Sequence, residues 1–374
     1  MNFELSETQL QISGLARTVL GPRSLSQGTP SRLPRTEEFF DRETWSLLAR
    51  TDLLGLGALP EEDGGGYPAV CCLLVETGRA AARVPAVECL LPALAIVQHG
   101  TAAQQSLVDA VAAGQTLLAL ALHEEGAYGP ADLTTSARPD GYGWLLDGAR
   151  TDVGYARDAD RLLVPARVGS GGCVLLLVDP AAPGVHLTDL ETSTNQPSCV
   201  ARFDGVAVPH AQVVGGTALP AGVLETLWLQ AATAVCALQL GLMEGAVAMT
   251  VEHLRTRKQF GRELATFQAV AMQAADVHIA VEAARLTFWE AVWRLSTGRP
   301  AAAEVAIAKY WAAASSAKVM TAAQHLHGGM GVDTDHPMHA YVLWSLAWQR
   351  QFGSASSQLF DLGELIAKQR TVAS

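Results

Sequence analysis

From Leu224 to Val292 apolar residues return every three or four positions almost without a break, which restricts this part of the chain to long helices. Leu224, Leu227, Trp228, Ala231, Val235, Leu238 and Leu242 trace one face. A helix continuing to Arg257 would be about 50 Å long at about 1.5 Å per residue. Phe267, Val270, Ala274, Val277, Val281, Ala284, Phe288 and Val292 form a second stripe. Pro300 and Pro337 stand where first-turn prolines are tolerated, so each opens a further helix. Four long, alanine-rich helices with short connections predict an antiparallel bundle over residues 219–374.

The helical period also marks residues 1–117, where Trp45, Leu48, Ala49 and Leu53 share a face. Between these parts, residues 118–218 change to period two in "DRLLVPARV", "CVLLLVD", "GVHLTDLE" and "CVARFDGVAVP". The Asp147-Gly148 pair of "WLLDGARTDV" predicts a hairpin turn. The expected class is α+β, mostly α. It comprises an amino-terminal helical domain (1–117), a central β-barrel-like domain (118–218) and a carboxy-terminal four-helix bundle (219–374). Absence of βαβ alternation and of GxGxxG excludes a Rossmann domain.

Charge narrows the function. The 374 residues carry 26 basic and 37 acidic side chains, a formal −11, with no block of Lys or Arg. Nucleic acid and anionic membranes are therefore not expected partners. The first residues lack a basic, then apolar leader, and no stretch of about 18 apolar residues is free of charges or breakers. A cytoplasmic location without a membrane span is the expectation. Cys71, Cys72, Cys89, Cys173, Cys199 and Cys236 show no CxxC spacing and read as buried thiols.

Two stretches carry chemistry. In "RTRKQFGRELATFQAV" (255–270) Arg255, Arg257, Lys258 and Arg262 cluster beside Gly261 and the start of a helix, an arrangement that suits a pyrophosphate. In "HLHGGMGVDTDHPMH" (325–339) a glycine turn can approach a ligand closely. Its histidines do not suit a metal, because His325 and His327 differ by two and face different sides of a helix. His336, before Pro337, reads as an exposed turn residue.

Together these stretches resemble the acyl-CoA dehydrogenase family. "FELSETQ", "LLGLGALPEEDGGGYP", "VETGRAAARVP", "LDGART" and "FDGVAVP" extend the resemblance over nearly the whole chain. The resemblance implies FAD lying across a subunit interface, with the bundle of one subunit holding the nucleotide end of a flavin whose ring sits in its neighbour. By the same resemblance Arg257, Gln259, Phe260 and Gln268 contact the pyrophosphate and adenosine side, and Gly328 and Gly329 line the adenine end. His325 stands where the family usually has glutamine; a neutral imidazole still donates a hydrogen bond.

The chain departs from the family where the reaction happens. Desaturation of an acyl-CoA thioester needs a carboxylate within reach of the α-proton. At the usual glutamate position this chain has Phe352, before Gly353-Ser354; at the alternative position, on the first bundle helix, it has Ala231. Asp152, Val153 and Gly154 replace the Trp-Ile-Thr that borders the flavin ring, and an anion there opposes a reduced, anionic flavin. The pattern is similar to non-catalytic subunits of actinobacterial α2β2 acyl-CoA dehydrogenases acting on steroid side chains. That similarity implies a homologous catalytic partner, an acyl-CoA substrate of the complex and an electron-transfer flavoprotein as acceptor. Two other readings stand beside it: a self-sufficient enzyme using Glu225, Glu244 or an acid of "HEEGAYG" as base, and a flavin-free assembly protein of the same fold. Trp289, Trp293, Trp344 and Trp348, at i,i+4 spacing, read as packing residues.

Overall fold

The computed structural model describes residues 5–25, 39–169, 172–216 and 218–373; Phe3 and Glu4 of "FELSETQ" lie outside them. Five helices come first: α1 (Glu7–Leu25), α2 (Arg42–Arg50), α3 (Gly66–Arg79), α4 (Ala86–His99) and α5 (Gln105–Ala112). The strands β1 (Leu118–Leu120), β2 (Ser136–Pro139), β3 (Gly143–Gly154), β4 (Arg161–Val168), β5 (Gly172–Val178), β6 (Val185–Asp189), β7 (Ser198–Pro209) and β8 (Leu219–Pro220) follow. The long α6 (Ala221–Thr256), a small hairpin of β9 (Lys258–Gln259) and β10 (Arg262–Glu263), α7 (Gln268–Ser296), α8 (Ala302–His327), α9 (Met338–Trp348) and α10 (Ala355–Ala373) complete the chain. Helix, sheet, helix is the expected order, and the class is mostly α.

The chain divides into two compact units: Met1–Leu33, Cys71–Ala82 and Ala232–Ser374 form one, and Pro34–Val70 with Arg83–Ala231 the other. The second is built on an open eight-stranded sheet in the order β6-β7-β3-β2-β4-β5-β8, with β1 alongside β4. Its apolar core includes Leu146, Val153, Leu162, Val174, Leu176 and Phe203. The hairpin expected at Asp147-Gly148 is not there. Both residues lie inside the single strand β3, where the register against β7 shifts between Leu146 and Gly148. Gly148 has φ +139°, and a Cβ would come within 2.7 Å of Thr135 Oγ1. The glycine therefore marks a bulge, which needs the same backbone freedom as a turn. The turn itself is at 140–142, where Asp140 Oδ1 accepts hydrogen bonds from the amides of Tyr142 and Gly143 at 3.0 Å.

In the other unit α3 and α6 cross backbone against backbone. A Cβ on Gly241 would lie 1.8 Å from the Val75 carbonyl oxygen, and one on Gly78 2.1 Å from that of Leu238. A chain of ion pairs braces this crossing: Arg17 to Glu76 at 2.8 Å, Arg79 to both Glu76 and Glu244, and Arg285 to both Glu244 and Glu282. Glu244 is 8% exposed there. Among the described residues one helical stretch, Gly222–Thr256, is long and apolar enough to cross a membrane, against the expectation of none. Of its most apolar window 78% is buried within the fold, as in the core helix of a bundle. All six cysteines are buried and unpaired, as expected. Trp344 and Trp348 are buried at a centroid separation of 5.3 Å, so they pack.

Candidate nucleotide clamp and flavin-ring segment

The last turn of α6 delivers Arg257, whose amide closes onto the His253 carbonyl at 2.8 Å. The chain then reverses through the two-residue turn Phe260-Gly261, with φ +52° and +79°. Gln259 pairs with Arg262 across the hairpin. Two positive φ values in succession give the mirror-image turn that matches strand twist, a conformation glycine adopts freely and phenylalanine does not. Phe260 nonetheless occupies it and is 92% exposed, its ring edge-on to that of Phe267 at a centroid separation of 6.2 Å. The Arg262 guanidinium lies 3.9 Å from the Phe267 ring centroid. Phe267 precedes α7 and offers no side-chain acceptor, so the first amides of that helix, from Gln268 on, have no cap. Uncapped amides beside Arg257, Lys258 and Arg262 suit an anionic diphosphate.

The glycine turn meets the same end of this unit. The buried His327 ring stacks on His253 of α6 at 4.5 Å, bringing the end of α8 to the end of α6. His325, one turn edge away, is exposed, so the two histidines face different sides as expected. Gly328 has φ +62°, and neither it nor Gly329 has any atom within 4 Å of a would-be Cβ. An apolar cleft lined by Val251 and Leu254 of α6, Val277 of α7 and Leu326 of α8 runs between the three helices. Arg257, Gln259, Phe260, Gln268, His325, Gly328 and Gly329 are all exposed. They fit the nucleotide end of a flavin by donor set, charge and open space. His336, expected to be exposed, is half-buried because its ring packs 5.1 Å from that of His327. Among the described residues no group of three or more His, Cys, Asp or Glu is arranged to hold a metal.

The two positions expected to carry the base hold no carboxylate. Phe352 is half-buried at φ +55°, directly after the end of α9. Buried Lys309 fixes that end by donating to the carbonyls of Trp348 and Gln349 at 3.3 and 3.2 Å. Ala231, fully buried in the sheet-containing unit, follows Gln230, whose carbonyl accepts from Tyr67 Oη at 2.8 Å. The substitute acids are poorly placed to act. Glu244 is held between two guanidiniums, and Glu225 lies exposed on α6. Burial pushes the Glu124 carboxyl up, but hydrogen bonds from Thr134 and Thr135 and the Arg150 charge outweigh it and keep the group low.

Beside the segment expected to border the flavin ring lies a residue that sequence reasoning passed over, Glu88. Asp152 sits at φ +51°, its carboxylate accepting from Ser198 Oγ at 2.8 Å. Glu88 of α4 reaches the same place and accepts from Gln196 Nε2 at 2.6 Å. A Cβ on Gly154 would already be 3.0 Å from Glu88 Cγ, so a larger side chain would compete with Glu88 for that space. Burial, and then the Asp152 charge, push the Glu88 carboxyl from 4.5 up to about 7. Two carboxyl groups at this place do not fit a flavin ring. The available signal was one glutamate in the otherwise apolar "VPAVECLLPALAI".

The architecture is that of the acyl-CoA dehydrogenases, and the comparisons agree. The acyl-CoA dehydrogenase C-terminal domain profile matches residues 223–365. Acyl-CoA dehydrogenase FadE27 of Mycobacterium tuberculosis is 36% identical, over 98% of this chain and 99% of its own. FadE28 of the same organism is 35% identical over 86% of this chain and 91% of its own. Among solved structures, the Tcur3481-Tcur3483 steroid ACAD G363A variant superposes with a TM-score of 0.86 at 38% identity, covering 98% of this chain and 99% of that one. The ChsE4-ChsE5 complex from Mycobacterium tuberculosis does so with 0.86 at 35%, with the same coverage. The chain belongs to the acyl-CoA dehydrogenase family, oxidoreductases whose members bind FAD.

Proposed function

We propose that this chain is the non-catalytic subunit of a heteromeric acyl-CoA dehydrogenase, holding the nucleotide end of an FAD whose ring lies in a homologous catalytic partner. The observation that carries the reading is the coexistence of an exposed, uncapped clamp with base positions filled by Phe352 and Ala231. FAD supplies hydride acceptance when bound. In this chain Arg257 and the α7 amides bind and orient the diphosphate, and no residue at either base position moves a proton. Two similar structures are named as complexes or paired chains, and one as a steroid ACAD. These names support pairing with a homologous subunit and a steroid substrate, and the family resemblance adds an α2β2 assembly, a side-chain CoA thioester and an electron-transfer flavoprotein as acceptor.

The test is FAD content of the purified chain, alone and co-expressed with a homologous catalytic subunit, with and without Arg257→Ala. About one FAD per pair is expected in the assembly and none in the lone chain. Loss of a charge-assisted phosphate contact removes about 2 kcal/mol, roughly 30-fold in affinity. A yellow lone chain bleached by an acyl-CoA would overturn the proposal in favour of a self-sufficient enzyme.

A further inference from the structure

Three imidazoles are packed together at the clamp, one pair stacked at 25° between ring planes and the other tilted at 56°. His327, at the end of α8, lies between His253 of α6 and His336 of the 333–337 turn, with centroids 4.5 and 5.1 Å away. The Nδ1 of His327 is 2.8 Å from the Ala323 carbonyl, which can only accept, so Nδ1 carries the proton and the open position is Nε2. That Nε2 is buried and has no hydrogen-bond partner. His336 is committed in the opposite sense: its Nδ1 accepts from the Met338 amide at 3.2 Å, in the first turn of α9. A second proton on His327 would therefore enter a sealed position without an acceptor, and one on His336 would break the bond that starts α9.

We propose that the His253–His327–His336 cluster is an acid-sensitive latch that holds the Gly328–Val332 turn onto the end of α6 only while its rings are uncharged. The charged groups that face it are Arg257 at the end of α6, which opposes a proton on His253, and Asp333 in the turn, which favours one on His336. Burial and the neighbouring imidazoles hold both His253 and His336 below the ordinary histidine value. Depressed values fix the sign. The packing energy is fully present above the unfolded value near ~6.5 and is lost as pH falls through the lower folded values. Because His253 and His336 take up protons within one cluster, the opening is cooperative. The latch spans the two halves of the clamp, Arg257 on one side and Gly328-Gly329 on the other, so its opening separates them.

The consequence for FAD rests on the proposed clamp function, and the experiment keeps the two apart. FAD dissociation from the assembled complex is followed by flavin fluorescence between pH 7.5 and 5.5. The wild-type complex is compared with His253→Phe/His336→Asn and with His336→Asn alone. Phenylalanine keeps a ring on His327, and asparagine can accept from the Met338 amide as His336 does. In the wild type, affinity is expected to fall about tenfold or more over this range. In the double variant it is expected to fall less than about twofold, and in the single variant by an intermediate factor. Circular dichroism and equal FAD affinity at pH 7.5 establish that the variants are folded. Parallel pH curves in wild type and double variant would overturn the latch. An Arg257→Ala complex that keeps its FAD at pH 7.5 would instead overturn the clamp.

Discussion

Replacing Glu88 by glutamine is expected to stabilise this protein above neutral pH and to do much less at pH 5. Glu88 is raised from 4.5 to about 7, and a raised acid contributes stability that is complete below its unfolded value and disappears as pH rises through the folded one. At about 1.4 kcal/mol per pH unit, the ionised form is disfavoured by roughly 3 kcal/mol once pH exceeds 7. Glutamine matches the shape, retains a carbonyl oxygen for the Gln196 amide and removes the charge facing Asp152. With an unfolding entropy of about 2 cal/mol/K per residue, 3 kcal/mol raises Tm by about 4 °C if the chain unfolds as one, and by about twice that if the sheet-containing unit unfolds alone. Thermal melts of wild type and Glu88→Gln at pH 5 and pH 8 make the comparison. An equal Tm difference at both pH values would refute the argument, because it would mean that Glu88 is either ionised or neutral throughout.

Phe352→Glu restores the family's carboxylate but leaves Asp152 and Glu88 in the flavin-ring segment. The lone variant is therefore expected to show no anaerobic flavin bleaching by any acyl-CoA, and measurable bleaching would show that the ring site is functional. Gly241→Ala places a methyl 1.8 Å from a backbone oxygen, with no flexible side chain to yield. It is expected to destabilise by about 3 kcal/mol or more, read as a lower urea midpoint, whereas an unchanged midpoint would mean that α3 and α6 do not cross there.

What was legible in the sequence was local. The long helices follow from a period sustained over many turns, and the proposed clamp is written in residues adjacent along the chain, in "RKQFG" and "HGG". The Asp147-Gly148 pair misled because a positive-φ glycine serves a bulge as well as a turn; only pairing with β7 decides between them. His336 was misread because its ring partner, His327, comes from another element and is itself held by His253 of a third. Glu88 was missed for the same reason. Its raised proton affinity arises from burial and then from the charge of Asp152, distant in sequence, against the opposing hydrogen bond from Gln196, and the space for it comes from Gly154.

Phe260 separates stabilising the chain from binding a cofactor. A bulky residue at φ +52° costs roughly 1–2 kcal/mol in strain. At 92% exposure its only ring contact is the edge of Phe267, worth about 0.5–1 kcal/mol. Glycine would remove the strain, lose that contact and cost about 0.5–1 kcal/mol in backbone entropy. These terms nearly cancel, so Phe260→Gly should change the stability of the lone chain by less than about 1 kcal/mol. The phenyl ring therefore gives the isolated fold nothing that accounts for it, and its energetic return must come from whatever meets the hairpin. In the assembled complex the same substitution should weaken FAD retention several-fold, measured by equilibrium dialysis. A loss of more than about 2 kcal/mol in the lone chain would make Phe260 a packing residue instead. Unchanged retention in the complex would remove it from the clamp.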